Sequence, residues 1–347
     1  MNTKMWVVDN IVEIKKDYPQ LQEAAHLLRE NEAVAFPTET VYGLGANALN
    51  DEAVAKIFEA KGRPSDNPLI VHIGTEEQLD GIVAHIPPIA NVLMKHFWPG
   101  PLTLIFPKKE GISEKVTAGL HTVAVRMPDH PVALALIEAA NVPVAAPSAN
   151  RSGRPSPTLA SHVYEDLNGK IAGIVDGGAT GVGVESTVVD CTSEIPTILR
   201  PGGITKEQLE EVIGPVLLDP ALKDETEKPK SPGMKYTHYA PKAPLSIVEG
   251  SRAFIQQLVD KKEQEGYKVG VLTTEEYQHV YKAEVVLSCG KRSDLATVAT
   301  KLYDVLRTFD ASGVDIIFSE SFPSDGIGSA IMNRLTKAAG HQIIFEK

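Results

Sequence analysis

A charged segment without periodicity divides this chain near its middle. The stretch "DPALKDETEKPK", from Asp219 to Lys230, shows neither a helical nor a strand pattern, which is typical of a solvated linker. It is followed by "SPGMKYTHYAP", in which Pro and Gly are mixed with aromatic and basic residues. A chain of 347 residues exceeds the usual size of one domain, so we expect domains at 1–216 and 243–347, joined by a linker at 217–242.

The part before the linker mixes helical and strand patterns. Apolar residues at helical spacing between Gln20 and Arg29 predict a helix, and "AVAF" predicts a short buried strand. "NDEAVAKIFEAKGRP" predicts a second helix that is capped by Asn50 and ended by Gly62. Further strands are predicted at "PLIVHI", "LTLIF", "TVAVRM", "VPVAA", "AGIVD", "ESTVVD" and "TILR". This order predicts an α/β domain built on an open, twisted, mixed sheet.

The part after the linker has a simpler pattern. The strand-like runs "PLSIVEG", "KVGVLTT", "AEVVLSC" and "VDIIFSES" alternate with helical segments, which predicts a smaller Rossmann-like parallel α/β domain. "SDGIGSAIMNRL" is similar to a dinucleotide-binding motif, but Ile331 stands where the third glycine belongs. We therefore expect a helix capped by Ser324 or Asp325, and we assign this domain no chemistry.

Charge and composition argue against a general nucleic-acid-binding protein, a membrane protein and a disulfide-bonded protein. A net charge of -11 argues against broad adhesion to nucleic acid, so any RNA contact is expected to be local. Neither a signal-peptide core nor an apolar run long enough to span a bilayer occurs in the sequence, so we expect a cytoplasmic protein without a membrane partner. Cys191 and Cys289 lie in apolar segments of different halves, which favours buried, reduced thiols.

Polar residues directly follow the first predicted strand. In "FPTETVYGLG", Thr38, Glu39 and Thr40 come after an apolar run and before two glycines that permit close backbone approach. Thr38 fits a hydroxyl-closed turn as well as a binding role, whereas Thr40 is the better ligand candidate.

A compact cationic turn follows the second helix. "AKGRPSDNPLIVHI" places Lys61, Arg63 and Asn67 close together in sequence, which suits an anion. A cation near a helix C-terminus also explains Lys61, but it does not explain Arg63 or Asn67. His72 ends the next strand and is either a ligand or a structural histidine.

An arginine shares a strand face with small residues in "HTVAVRM". The two-residue period puts Thr122, Ala124 and Arg126 on one face. This pattern indicates a clamp for a carboxylate or a phosphate, and a structural salt bridge is the alternative.

Two further loops supply hydroxyl, amide and guanidinium groups. "VPVAAPSANRSGRPSPT" ends a strand near Ser148 and Asn150 and continues to Ser156. Ser148 lacks the G-x-S-x-G context of a nucleophile, so these groups fit better as donors to an oxyanion. Ser186 follows a glycine-rich segment, and Arg200 ends a strand before a tight turn.

Common nucleotide and metal motifs do not occur in the sequence. A P-loop, H-E-x-x-H, an EF-hand and paired cysteines are all missing, so we predict no built-in metal site.

The motifs together resemble one family. "PTETVYGLG", "KGRPSDNPL", "VRMPDH", "PSANRSGRPSPT", "VESTVVD" and "LRPGGIT" occur in consistent order and resemble the YrdC-like family of threonylcarbamoyl-AMP synthases, in its long two-domain form. The resemblance implies an N-terminal YrdC-like sheet with a large cavity. It also implies synthesis of L-threonylcarbamoyladenylate from L-threonine, bicarbonate and ATP with release of pyrophosphate.

The resemblance also implies roles for individual residues. ATP would be a substrate that carries Mg²⁺, and the product would pass to tRNA threonylcarbamoyl transferase proteins that modify adenosine 37 in tRNAs reading codons that begin with A. The implied threonine site comprises Thr40, His72, Arg126, the Ala146 backbone and Ser186. The implied ATP site comprises Arg63, Asn67, Thr122, Ser148, Asn150, Ser156, Arg200 and Tyr236. Lys61, Arg63 and Arg200 would stabilise phosphate charge during catalysis.

Alternatives remain open from the sequence alone. A related enzyme that forms carbamoyl or acyl adenylates could use another amine or acyl donor. A double-stranded RNA or ribosome-binding module could hold RNA phosphate in the cationic turn. The linker stretch that contains Tyr236 is expected to act as a lid over the nucleotide, with simple docking on a domain surface as the alternative.

Overall fold

The computed structural model describes residues 2–8, 14–15, 17–222 and 238–347. These residues form two compact units. The first unit consists of the described residues up to Ser152, Pro157–Gly181 and the described residues from Glu185 to 222. The second unit consists of Gly153–Ser156, Val182–Val184 and residues 238–347. Most of the predicted linker, including Tyr236, lies outside the described residues, so its boundaries and its lid role stay predictions.

The first unit is an α/β structure. Its strands are Lys4–Val7 (β1), Val34–Phe36 (β2), Gly43–Asn47 (β3), Ile70–His72 (β4), Leu102–Pro107 (β5), Thr122–Arg126 (β6), Val144–Ala145 (β7), Gly173–Asp176 (β8), Thr187–Asp190 (β9), Thr197–Arg200 (β10) and Leu217–Leu218 (β11). Its helices are Pro19–Arg29 (α1), Asp51–Lys61 (α2), Pro88–Phe97 (α3), Glu114–Thr117 (α4), Pro131–Ala140 (α5), Ala160–Leu167 (α6) and Lys206–Ile213 (α7).

The strands of the first unit form one 11-stranded sheet in the order β1-β8-β2-β3-β7-β4-β6-β5-β9-β10-β11. Its central pair, β4 and β6, is parallel, whereas β7 and β5 flank this pair in antiparallel orientation. The predicted mixed sheet is therefore confirmed. Strands that are distant in sequence become neighbours, which brings polar loops from separate motifs to one sheet.

Local sequence signals explain where helix α2 begins and ends. The Asn50 side chain accepts a hydrogen bond from the Ala53 N–H, which satisfies an amide that has no partner within the helix. Gly62 ends the helix with φ 62°, a left-handed conformation that glycine adopts without a steric penalty. Lys61 is thereby placed in the last turn, directly before the predicted anion-binding residues.

Most of the apolar core of the first unit lies on one side of β4, β5 and β6. The side chains of Val71, Leu104, Val123 and Val125 are fully or almost fully buried there with residues of the surrounding helices. A second cluster, which includes residues of α1 and α5, packs against β2, β7 and β8. The first core covers one face of the central strands, so the side chains of β4, β5 and β6 that point away from it are available for a binding site.

The second unit has a five-stranded sheet. Its strands are Leu245–Glu249 (β12), Val269–Thr273 (β13), Val285–Ser288 (β14), Ile316–Glu320 (β15) and Ile343–Phe345 (β16), and its helices are Arg252–Gln264 (α8), Leu295–Ser312 (α9) and Ile327–Ala338 (α10). The order is β14-β13-β15-β12-β16 with parallel pairing throughout. The predicted parallel Rossmann-like sheet is confirmed.

The start of α10 differs from the sequence prediction. Gly326 occupies the N-cap position, and no side chain among the described residues caps this helix. Capping by Ser324 or Asp325 was therefore wrong. The backbone carbonyl of Asp325 instead accepts from the Gly328 N–H, so a backbone turn satisfies an amide that the side chain was expected to satisfy.

Two other sequence expectations can be compared with the structure. Cys191 and Cys289 are buried free thiols, as predicted, and burial raises the pKa of both to about 12. Among the helices in the described parts of the chain, none has the length and apolar character needed to cross a membrane.

Candidate active site

The predicted site residues on β4 and β6 project from one face of the large sheet. Arg126 pairs with His72 across these parallel strands. Paired residues lie on the same side of a sheet and side chains alternate along a strand, so Thr122 and Ala124 share this face with Arg126. The alternation predicted for β6 is confirmed, because the intervening valines lie in the large core on the other side.

The flanking strands bring further residues to this face. His72 also pairs with Val144 of β7, which places Ala146 on the same side two residues later. On the other flank, Thr103 of β5 pairs with Val188 of β9. Residues from five separate sequence motifs therefore meet on one face, which we call the site face.

The centre of the site face is a small apolar patch. It consists of strand residues alone: Ile70, Ile105, Ala124, Val188 and Leu199. All five are almost fully buried, with at most 7% exposure. Polar groups set around an apolar floor lie in a weakly screened environment, where charged hydrogen bonds are stronger than in water.

Arg126 is held by three neighbours at one edge of the patch. Its Nη1 donates to Thr40 Oγ1 at 2.9 Å, and its Nε donates to the Gly100 carbonyl at 3.2 Å. Its Nη2 lies 2.6 Å from Glu39 Oε1. The structural salt bridge considered as the alternative for Arg126 is thus present, together with the predicted neighbour Thr40.

Thr38 shapes the turn that presents Glu39 and Thr40. Its hydroxyl donates to the Val41 carbonyl at 2.6 Å and accepts from the N–H groups of Thr40 and Val41. This is the hydroxyl-closed turn that the sequence left open for Thr38. The turn fixes the backbone on both sides of Glu39, so its carboxylate is presented toward Arg126.

His72 is an uncharged side chain close to two arginines. Burial, together with the positive charges of Arg126 and Arg200, lowers its pKa to about 3. Its Nδ1 lies 3.2 Å from the Ile70 carbonyl, so that nitrogen carries the proton of the neutral ring. A neutral imidazole adds no charge to the site face.

Ser186 and Arg200 form a second polar group on the site face. Arg200 donates from Nε and Nη2 to the Ser186 carbonyl at 3.1 and 3.0 Å, and from Nη2 to Ser186 Oγ at 3.1 Å. The Ser186 hydroxyl is also 2.7 Å from Thr103 Oγ1. A Cβ at Gly202 would approach the backbone of Glu185 to within 2.3 Å, so only glycine lets the turn after Arg200 pack here.

Lys61, Ser148 and Asn150 form a third group. The buried Lys61 Nζ donates to the backbone carbonyls of Ser148 and Asn150. Ser148 Oγ donates to Asn150 Oδ1 at 2.6 Å. Burial, with the nearby guanidinium of Arg63, holds the pKa of Lys61 well below its usual value, while Asp166 and Glu185 oppose that shift. The structure therefore brings together Lys61, Ser148 and Asn150, which the sequence predicted to lie near the phosphates. Lys61 itself is hydrogen-bonded to the backbone of the loop that contains the other two.

The remaining predicted residues are placed as follows. Asn67 is fully buried and Ala146 nearly so, and the Ala146 N–H donates to the Ile70 carbonyl. Thr122 and Arg63 are half-buried. Ser156 is buried and belongs to the second unit. The binding roles assigned to these residues stay predictions.

Several residues near these groups were not singled out from the sequence. Thr103 lies within an ordinary strand pattern, and neither Asp166 nor Glu185, which is part of "VESTVVD", shows in the sequence that its charge acts on Lys61. The fold brings these residues to Ser186 and Lys61, for example through the pairing of β5 with β9. Within the described residues, no group of three or more His, Cys, Asp or Glu side chains is arranged to hold a metal ion.

Two family models together account for most of the chain. Residues 26–202 match the model of Sua5, YciO and YrdC proteins, which is described as "Telomere recombination". Residues 204–340 match the model described as "Threonylcarbamoyl-AMP synthase, C-terminal domain". The threonylcarbamoyl-AMP synthase of Bacillus subtilis (strain 168) is 63% identical over 99% of this chain and 100% of that protein.

The chain belongs to the threonylcarbamoyl-AMP synthase family. It is therefore an enzyme, and the family inferred from its motifs is confirmed. The threonylcarbamoyl-AMP synthase of Pyrococcus abyssi is 50% identical over 98% of this chain and 99% of that protein. A crystal structure of P. abyssi Sua5 complexed with L-threonine matches with a TM-score of 0.93 at 49% identity, covering 99% of this chain and 100% of that one.

Proposed function

We propose that this family member makes L-threonylcarbamoyladenylate from L-threonine, bicarbonate and ATP. Its relatives from B. subtilis and P. abyssi are threonylcarbamoyl-AMP synthases by name, and they match over nearly their whole length. The observation that carries the proposal is the site face, where Arg126 and His72 stand beside Ser186 and Arg200 around a buried apolar patch. This arrangement suits a small molecule with a carboxylate, next to a phosphorylated substrate.

The proposed reaction has two bond-forming steps. The threonine amine adds to the carbon of bicarbonate, and loss of water gives a carbamate. A carbamate oxygen then attacks the α-phosphorus of ATP, and pyrophosphate leaves with the electrons of the broken P–O bond. No step in this sequence needs a covalent enzyme intermediate, so the protein contributes by positioning the substrates and by stabilising charge.

Charge stabilisation is the role we propose for the cationic residues. Arg63 and Arg200 would contact phosphate oxygens, and magnesium would arrive as part of the nucleotide substrate. Lys61 would support them, since its bonds to the Ser148 and Asn150 carbonyls hold the loop that presents Ser148. Thr40, Arg126 and Ser186 would bind threonine, with Arg126 as the partner of its carboxylate.

The proposed use of the product is N6-threonylcarbamoylation of adenosine 37 in tRNAs that read codons beginning with A. Transferase proteins would receive the adenylate, and the chain itself would make at most a weak tRNA contact. A cytoplasmic location and the lid role of Tyr236 rest on the sequence and stay predictions.

The decisive experiment measures pyrophosphate release by the purified full-length chain. Release is expected only when ATP, threonine and bicarbonate are all present, so each is withheld in turn. Mass spectrometry of the fresh mixture should detect the threonylcarbamoyl-adenylate. Equal rates with serine, or release without any amino acid, would contradict the proposal and favour a related adenylate-forming enzyme.

A further inference from the structure

A small polar cavity lies at the ends of two neighbouring strands in the second unit. Its volume is about 160 Å³, which is below the roughly 300 Å³ at which pockets for whole drug-sized ligands begin. Its polar lining comes from the ends of β12 and β15 and from the loop after β14: Gly250, Ser251, Arg252, Arg292, Glu320 and Ser321. This strand-end cavity therefore has room for one small chemical group.

The strand order places the strand-end cavity at a switch point of the sheet. β12 and β15 are parallel neighbours, but the chain leaves β12 through α8 toward one sheet edge and leaves β15 through α10 toward the other. Right-handed connections that run in opposite directions lie on opposite faces of a sheet, so α8 and α10 diverge from these strand ends. Open α/β sheets bind ligands in the crevice that such a divergence leaves.

Two arginines share one carboxylate at the wall of this cavity. Arg292 Nη2 donates to Glu320 Oε2 at 2.7 Å, and Arg252 Nε lies 3.5 Å from Glu320 Oε1. Oε1 also accepts from the hydroxyls of Tyr281 and Thr273, at 2.6 and 3.1 Å. The buried Glu320 carboxylate is thus well supplied with donors. Because two guanidinium groups face one carboxylate, one positive charge is left over.

Both guanidinium groups keep N–H groups for a further partner. Within the described residues, neither Nη nitrogen of Arg252 makes a hydrogen bond or an ion pair, and Nε and Nη1 of Arg292 make none either. The Arg252 Cζ lies 3.2 Å from the ring centre of Tyr277, and the Arg292 Cζ lies 5.1 Å from that of Phe322. Contact with a ring face holds the plane of a guanidinium and leaves the N–H groups at its edge available.

The first turn of α8 adds backbone donors beside Arg252. The Phe254 N–H donates to Ser251 Oγ, whereas the N–H groups of Arg252 and Ala253 have no acceptor in the part of the chain that the structure describes. Amides at the start of a helix carry partial positive charge and suit phosphate groups. The Glu346 carboxylate accepts from the N–H and the hydroxyl of Ser251, at 2.5 and 2.8 Å. This loop therefore already binds one anionic group at its side.

Other carboxylates near the strand-end cavity are held outside it. Glu249 accepts from Ser321 Oγ at 3.0 Å, and Glu276 accepts from the Arg292 N–H at 3.0 Å. Neither of them, nor Glu346, is among the described residues that line the cavity. They reduce the positive potential without filling the space, so we expect a ligand of moderate affinity.

We propose that the strand-end cavity binds a phosphate group, held by the guanidinium groups of Arg252 and Arg292 and by the first amides of α8. These donors come from two loops and from a helix start, which suits a tetrahedral oxyanion better than a planar carboxylate. A larger phosphorylated ligand would place only its phosphate here, because the cavity is small. The inference gives the second unit a binding role that is separate from adenylate synthesis.

The test is a titration with inorganic phosphate, followed by amide NMR of the deuterated full-length chain. The N–H signals of Arg252 and Ala253 report on this cavity, so phosphate bound at the proposed nucleotide site does not obscure the result. We expect both signals to shift and to saturate with a Kd on the order of 0.1 to 1 mM. Acetate should bind at least about 10-fold more weakly.

AMP and pyrophosphate are titrated in parallel to identify the source of the phosphate. Tighter binding of AMP than of inorganic phosphate, seen at the same two signals, would support the site and assign it to a nucleotide. Tighter binding of pyrophosphate would support it and assign it to a diphosphate. Equal affinities would support it as a site for the phosphate group alone.

Four variants check the residues involved. Arg252→Gln should weaken phosphate binding by roughly 10-fold, whereas Arg252→Lys keeps the charge and should lose less. Glu346→Gln removes a negative charge beside the site and should strengthen binding by about threefold. Because Glu346 is exposed, this variant remains informative if Arg252→Gln does not fold. The exposed Lys261→Gln, at the other end of α8, is the control and should bind phosphate like the original chain.

Several results would overturn the site. Unshifted Arg252 and Ala253 signals at about 20 mM phosphate would exclude it, since a site of the expected affinity would then be full. Acetate that binds as tightly as phosphate would contradict the ligand class. Unchanged affinity in Arg252→Gln, or an equal loss in Lys261→Gln, would contradict the role of Arg252. These results hold whether or not the chain releases pyrophosphate, so failure of the proposed reaction is recognised separately.

Discussion

Two nitrogens of the Arg200 guanidinium donate to a single atom, the backbone carbonyl oxygen of Ser186. One of these nitrogens also donates to the Ser186 hydroxyl. A residue proposed for the nucleotide is thereby joined to one proposed for threonine. The geometry of the proposed nucleotide site therefore depends on that of the proposed threonine site.

Arg200→Lys tests this coupling. Lysine keeps the positive charge, but its single nitrogen cannot reproduce the planar pair of bonds to Ser186. We expect kcat/KM to fall by roughly 10- to 100-fold for threonine as well as for ATP. Steady-state pyrophosphate release gives both values, and the exposed Arg29→Lys is the control. A loss confined to ATP would show that the bonds to Ser186 do not couple the two proposed sites.

Gly202→Ala should disturb the contact between Ser186 and Arg200, because Gly202 packs against the backbone next to Ser186. Its Cβ would lie 2.4 Å from both the Ser186 carbonyl carbon and the Thr187 nitrogen, and these backbone atoms cannot move aside cheaply. We expect a loss of about 2 to 3 kcal/mol in the free energy of unfolding, together with weaker threonine binding. Urea denaturation measures the first effect. At Gly81 nothing among the described residues lies within 4 Å of an added Cβ, so Gly81→Ala should change stability by no more than about 0.5 kcal/mol.

Lys61→Met separates a structural role of this lysine from a role at the phosphates. The substitution leaves the Ser148 and Asn150 carbonyls without their buried donor. A loss of about 2 kcal/mol in the free energy of unfolding is expected, less than two unsatisfied carbonyls alone would cost, because a buried charge is removed at the same time. Lys95→Met, at an exposed position, should be neutral. Reduced ATP affinity with unchanged stability would assign Lys61 to the phosphates alone.

Acidification should destabilise the protein through His72. Its pKa is lowered to about 3 in the folded chain, whereas an unfolded histidine titrates near its usual value of about 6.5. The unfolded state therefore binds more protons between these values, and stability falls as pH drops through this window. Between pH 7.5 and 5 the contribution is about 2 kcal/mol.

Urea denaturation at the two pH values checks this effect. His72→Asn should lose about 2 kcal/mol less on acidification than the original chain. The exposed His85→Asn should follow the original chain. Parallel pH dependence in all three proteins would contradict the assignment to His72.

Local sequence patterns were sufficient for many of the elements and for part of the site. The period of two in "HTVAVRM" gave the face of Arg126 correctly, and Asn50 and Gly62 marked the ends of α2. These predictions succeed because strand alternation and helix capping depend on neighbours in sequence. The cap of α10 was wrong because a backbone turn at Gly326 replaced the expected side chain.

Long-range contacts explain what the sequence could not supply. The pairing of β5 with β9 brings Thr103 to Ser186, which is 83 positions away. Glu39 reaches Arg126 only because β2 and β6 belong to the same sheet. In neither pair does the sequence around one residue indicate which residue it will contact. These contacts depend on the order of the strands in the sheet, which cannot be read from a single sequence.

The alternation along β6 has a consequence for how this protein can vary in length. Arg126 faces the site, while the valines before it fill the core on the other side. Deleting a single residue within β6 would exchange the two sets, so a guanidinium would enter the apolar core and a valine would take its place. Insertions and deletions should therefore be tolerated in the surface loops of this domain, whereas its central strands must keep their length for the enzyme to retain a site.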